Sequence, residues 1–115
     1  MTAEELRNAA GRVRWYHSMD LGQGVITPGY TDPQPYLERL RLPARLDGLS
    51  VLDIGAWDGF YSFEAERRGA KRVLATDHFC WSGPGWGTKA GFDLAHRALG
   101  SRVESLDIEI GRAHV

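Results

Sequence analysis

The densest chemistry in the chain lies in Val51-Leu52-Asp53-Ile54-Gly55-Ala56-Trp57-Asp58-Gly59-Phe60-Tyr61-Ser62. A short apolar run passes through two glycines into a helical pattern. In open α/β sheets that is where ligands meet the carboxyl end of a strand, because glycines let the backbone come close and the helix start presents N–H groups. Asp53 stands in a run apolar enough to be buried, where an uncompensated carboxylate is costly, so it calls for a cationic or donor-rich ligand. Three other glycine-loop chemistries fail on the letters. A dinucleotide loop needs glycine where Trp57 and Phe60 stand, and a phosphate-cradling loop needs Lys and Ser/Thr where Phe60 and Tyr61 stand. A calcium loop from Asp53 to Glu64 would have Gly55, Trp57 and Asp58 in place of two oxygen ligands and a glycine. The plainest alternative is that Gly55 and Gly59 only make a tight turn.

Asp77 closes a second apolar run, Val73-Leu74-Ala75-Thr76, and fits either a ligand carboxylate or a loop cap. Asp107 alternates with apolar residues alongside Glu104 and Glu109, a pattern that also describes a solvated strand face. Trp81 and Trp86 flank Ser82-Gly83-Pro84-Gly85, giving a lid over a ligand or a hydrophobic clasp on a long loop, with the clasp favoured. His17 follows two aromatics and reads as a packed histidine before a catalytic base. His78 and Cys80 lack the further ligands of a metal site, so no metal is expected.

These residues must be positioned by the elements around them. Thr2 and Glu5 have capping-box spacing at the start of a helix that extends to about Arg14. Val25 to Gly29 is extended, and Asp32-Pro33 starts a helix with Tyr36, Leu37 and Leu40 on one face, ended by Pro43. From Ser50 the pattern alternates between strand and helix, as in βαβ units with a parallel sheet. Strands are expected at Val51–Ile54, Arg72–Thr76 and Arg102–Ile108. Helices are expected over Phe60–Arg68, with Phe60, Phe63 and Ala65 inward, and from Thr88 to Leu99, with Phe92, Ala95 and Leu99 inward. Residues 1–49 form a helical N-terminal extension, and residues 50–115 form the first half of a Rossmann-like α/β domain.

The loop resembles the first motif of the class I S-adenosylmethionine-dependent methyltransferases, an acidic residue and a glycine loop after the first strand, with Trp57 in place of the middle glycine. Asp77, 24 positions after Asp53, is similar to the family's second motif, a carboxylate at the end of the second strand that accepts from both ribose hydroxyls. Asp107 resembles the third acidic position, which holds the adenine edge. The resemblance implies S-adenosyl-L-methionine as cofactor, contacted by Asp53, Gly55, Ala56, Trp57, Gly59, Asp77, His78 and Asp107. No catalytic residue is identified by it. Trp15-Tyr16-His17-Ser18, Val25-Ile26-Thr27-Pro28-Gly29 and Trp57 to Ala65 resemble a subgroup similar to the tRNA wobble-uridine (5-oxyacetate type) methyltransferases, over most of residues 13–110. That implies methyl transfer to an O or N acceptor, in tRNA or in a small metabolite.

At about 30 residues per unit, residues 50–115 hold three strands in the order 3-2-1 of an incomplete doubly wound sheet. The first strand, normally central, would then be an edge open to a second copy or a complementing chain. An alternative to the enzyme is therefore a non-catalytic cofactor-binding or interaction module. The 115 residues suffice for one core. The formal charge of −1 offers no field for DNA or an anionic membrane. The single cysteine and the acidic, polar start point to a cytoplasmic protein, and no run reaches the roughly 18 apolar residues of a membrane span.

Overall fold

The computed structural model describes residues 1–110. Its sheet has three parallel strands, β1 (Ser50–Ile54), β2 (Arg72–Asp77) and β3 (Glu104–Asp107), in the order β1-β2-β3. Leu52 lies beside Leu74, Ile54 beside Thr76, and Thr76 beside Leu106. Four helices accompany the sheet: α1 (Ala3–Gly11), α2 (Gln34–Leu40), α3 (Phe60–Arg67) and α4 (Ala90–Ala98).

Thr2 caps α1 through the expected reciprocal pair. The Glu5 N–H donates to Thr2 Oγ1 at 3.1 Å, and the Thr2 N–H donates to Glu5 Oε1 at 2.9 Å. The helix stops at Gly11, one turn short of Arg14, and Trp15 folds back to donate its indole N–H to the Ala10 carbonyl at 2.9 Å. Pro33 precedes α2, and Asp32 Oδ1 accepts from the Gln34 N–H. That helix ends at Leu40, earlier than Pro43 requires, because Arg41 turns left-handed at φ 51°. Only Leu37 of its expected apolar face is buried; Tyr36 and Leu40 are exposed. On α3, Phe60, Phe63 and Ala65 point inward, while on α4 Phe92 and Ala95 are buried and Leu99 is not.

The core is continuous across the chain. Leu6, Trp15, Leu21 and Leu46 of the N-terminal half share one cluster with Phe63, Val73, Ala75 and Phe92. Residues 1–49 therefore help to build the interior that supports the sheet.

One expectation fails at β1. Its apolar run is not buried: Leu52 is 55% and Ile54 61% exposed, and on the same sheet face Leu106 is 48% exposed. Alternation along each strand sends Val73 and Ala75 to the opposite face, which α3 covers. Asp53 also points that way, to Ser62 of α3. Apolar content alone does not distinguish a strand buried on two faces from one buried on a single face. β3 is shorter than the expected Arg102–Ile108 and exposed along its length.

Candidate functional site

β1 ends at Ile54, and the chain turns at once through Gly55 (φ +78°), a conformation that L side chains rarely adopt. The N–H groups of Gly55 and Ala56 both donate to the Thr76 carbonyl, at 2.8 and 3.0 Å, which joins the loop to the end of β2. Trp57 is also left-handed at φ 55°. A bulky residue in that region carries about 1–2 kcal/mol of strain, and two contacts hold it there. Its N–H donates to Asp77 Oδ2 at 2.9 Å, and its ring stacks on Tyr16 with centroids 3.6 Å apart and planes 5° from parallel. The backbone thus keeps a glycine-like turn where the sequence motif has Trp57, and uses the side chain to bind the N-terminal half.

Gly59 starts α3 at φ +90°. A Cβ there would fall 2.6 Å from Phe63 Cε2 and 2.7 Å from Phe92 Cδ2, so this glycine permits close packing of α3 and α4. Ala56 is 2% exposed and belongs to the core.

Asp77 is the organising carboxylate. It is 5% exposed, with Oδ2 on the Trp57 N–H and Oδ1 on the Cys80 N–H at 3.0 Å. Asp53 accepts from Ser62 Oγ at 2.6 Å. Burial raises its pKa; the Ser62 hydrogen bond opposes that rise, and the charge of Asp77 adds to it. Burial, together with the charges of Asp77 and Asp58, pushes the Cys80 thiol up to about 11, which keeps it protonated and a poor nucleophile at neutral pH.

The carboxyl ends of the strands enclose a cleft of about 380 Å³, lined by Ile54, Gly55, Thr76, Asp77, His78, Phe79, Pro84 and residues 108–110. Gly55 faces open space. At the rim, His78 Nδ1 lies 2.9 Å from Asp107 Oδ1, and Nε2 lies 3.4 Å from Glu109 Oε1. Hydrogen bonds from Ser82 and His78 hold the Asp107 carboxyl below its usual range. Of the residues singled out in the sequence, Gly55, Asp77 and His78 line this cleft, and Asp107 adjoins it through His78. Asp53, Ala56, Trp57 and Gly59 support it from behind.

Sequence reasoning passed over Asp58. This residue is 2% exposed, and its Oδ2 accepts from the backbone N–H groups of Tyr16 at 2.6 Å and His17 at 2.9 Å. It ties the N-terminal half to the glycine loop. Burial raises its pKa, against the two N–H donors. His17 lies beside it, and burial lowers its pKa to about 4, so it is a neutral packed ring near pH 7. Trp81 acts as a clasp: it is 3% exposed and donates its indole N–H to the Trp57 carbonyl at 2.7 Å. Trp86 sits edge-on to Trp57 with centroids 5.0 Å apart, beneath the Arg14 guanidinium at 3.7 Å.

A second cavity, about 810 Å³, lies between the N-terminal half and α3, lined in part by Met19, Ile26, Phe60, Phe63 and Glu64. It is larger, yet it contains neither the glycine turn nor the carboxyl ends of the strands, where the backbone itself can meet a ligand. Among the described residues, no group of three or more His, Cys, Asp or Glu is placed to hold a metal, and no helix is long and apolar enough to cross a membrane.

Comparison of the chain with protein-family models, curated proteins and solved structures finds no match.

Proposed function

We propose that the cleft at the carboxyl ends of β1, β2 and β3 binds the nucleoside part of S-adenosyl-L-methionine, and that the chain is the cofactor-binding part of a methyltransferase of doubly wound, Rossmann-like type. The observation that carries this reading is the convergence of Gly55 and Asp77 on one cleft: an open glycine turn and a carboxylate lie side by side across adjacent parallel strands. The Asp77 carboxylate accepts two backbone N–H groups and the Cys80 thiol, which leaves one lone pair that a ribose hydroxyl can use. His78 and Asp107 at the rim supply polar atoms for the base edge. Ile54, Phe79 and Pro84 offer apolar wall.

Four loop N–H groups, on Gly55, Ala56, Trp57 and Gly59, are engaged within the protein. Recognition therefore rests on side chains and on the bare surface of Gly55, with less from loop donors than the motif implies. The cofactor supplies an activated methyl group; the protein's part is to orient it and limit water. The acceptor, whether tRNA or a small molecule, would approach the open side of the cleft.

Titration calorimetry with S-adenosylmethionine tests the reading. Saturable heat is expected with the parent chain, and at least tenfold weaker binding with Asp77→Asn, which keeps the size of the side chain but turns an amide NH2 towards one of its two backbone donors, so the variant is compared at unchanged circular dichroism and tryptophan emission. Equal affinity in the two would remove Asp77 from the site; no heat with the parent at millimolar cofactor would remove the cofactor.

A further inference from the structure

The uncovered face of the sheet is a feature that the cofactor reading leaves unexplained. Strands of a purely parallel sheet are ordinarily buried on both faces. Here α3 covers one face, and the other presents Leu52 and Ile54 of β1, Leu74 of β2, and Leu106 of β3 in adjacent register. Ile108 follows Leu106 on the same alternation and is 44% exposed.

Leu52, Ile54, Leu106 and Ile108 together expose on the order of 400 Å² of apolar side chain, within the roughly 300–600 Å² of the largest patch on a typical monomer, a patch that often serves an interaction. A stable dimer buries about 800 Å² per partner, a little over half of it apolar, so this patch is about the size of one such interface core. Its charges do not select a partner of opposite sign. Arg72 and Glu104, the two charged residues of these strand rows, are bridged to each other. Arg102, exposed on the same alternation just before β3, adds a single basic group, far short of the cluster of Lys and Arg that lipid phosphates call for. An identical face supplies an apolar surface of equal size, with the charged side chains of Arg72, Arg102 and Glu104 gathered at one end of the rows.

We infer that this face is a self-association surface: a second copy of the chain seats its own Leu52, Ile54, Leu106 and Ile108 against it in a closed, two-fold dimer. The contact lies on the sheet face, whereas the sequence pointed to the free edge of the first strand. Ile54 and Ile108 also line the cleft, so the second copy adds a wall to it. The inference stands apart from the cofactor reading.

Analytical ultracentrifugation of the ligand-free chain across a hundredfold concentration range tests it. The expected result is a monomer–dimer equilibrium between 12.8 kDa and twice that mass, converted to monomer by Leu52→Lys with Leu106→Lys. Both side chains are half-exposed, so far-UV circular dichroism should be unchanged; if that variant unfolds, Leu52→Thr with Leu106→Thr should weaken association at least tenfold. A parent chain that stays monomeric, a dimer that survives either folded variant, or open-ended aggregation would each overturn the inference. Because no ligand is present, failure of S-adenosylmethionine to bind leaves this result unaffected.

Discussion

Asp58→Ala probes the junction on which the site depends. Oδ2 of Asp58 accepts both the Tyr16 and the His17 N–H, at 2.6 and 2.9 Å, from a position 2% exposed. Hydrogen bonds to a charged acceptor contribute about 1.5–3 kcal/mol each, and removing it leaves two backbone donors without their acceptor. Burial of the carboxylate offsets part of this, as its raised pKa shows. The net loss should be about 3 kcal/mol, a large fraction of the roughly 5–15 kcal/mol that holds a typical domain together. Asp58→Asn is the informative partner. Both bonds fall on the same oxygen, so an amide carbonyl placed there keeps their geometry without the charge, and the loss should be about 1 kcal/mol. Urea unfolding followed by circular dichroism gives both values. Tryptophan emission should also shift in Asp58→Ala at zero urea, because the Tyr16–Trp57 stack loses its anchor. An Asp58→Ala chain within about 0.5 kcal/mol of the parent, with unchanged emission, would refute the claim that this carboxylate joins the two halves.

Two further outcomes follow from the same geometry. Gly59→Ala combines a left-handed backbone with a Cβ 2.6 Å from Phe63, and should cost about 3 kcal/mol by chemical denaturation; a loss below 1 kcal/mol would mean that α3 and α4 yield more easily than their packing indicates. His17 titrates near 4 when folded and near 6.5 when unfolded, so the unfolded chain takes up the proton first and stability falls as the pH drops from about 6.5 towards 4. At pH 4.5 that loss is about 2.5 kcal/mol relative to pH 7. Asp53 and Asp58, whose folded pKa values are raised, act in the opposite sense. Comparing His17→Gln with the parent at both pH values isolates the histidine: the variant should lose less on acidification, and equal losses would show that the ring is not buried neutral.

Much of the fold was legible because its signals are local. The capping box at Thr2 and Glu5, Asp32-Pro33 at the start of α2, and the alternation of apolar runs with helical patterns each depend on neighbouring residues. Covering of a sheet face depends on residues distant in sequence, which is why an apolar β1 gave no sign that Leu52 and Ile54 stay exposed. The same distinction applies at the site. Gly55 and Asp77 stood out by type and spacing, while Asp58 did not, because its partners lie 41 and 42 positions away and offer only backbone N–H groups. Trp57 was visible as a departure from a glycine pattern. Its left-handed φ and its stack on Tyr16 show that the loop keeps a glycine conformation and gains a tether.

Amide chemical-shift mapping with S-adenosylmethionine addresses the central claim most directly, because it reports where a ligand binds as well as whether it does. Saturable shifts should concentrate at Gly55, Asp77, His78 and Ile108, with α1 unmoved. Shifts centred on Met19, Phe60 and Phe63 would place the ligand in the larger cavity, and no shifts at millimolar cofactor would contradict a cofactor site at the carboxyl ends of the strands.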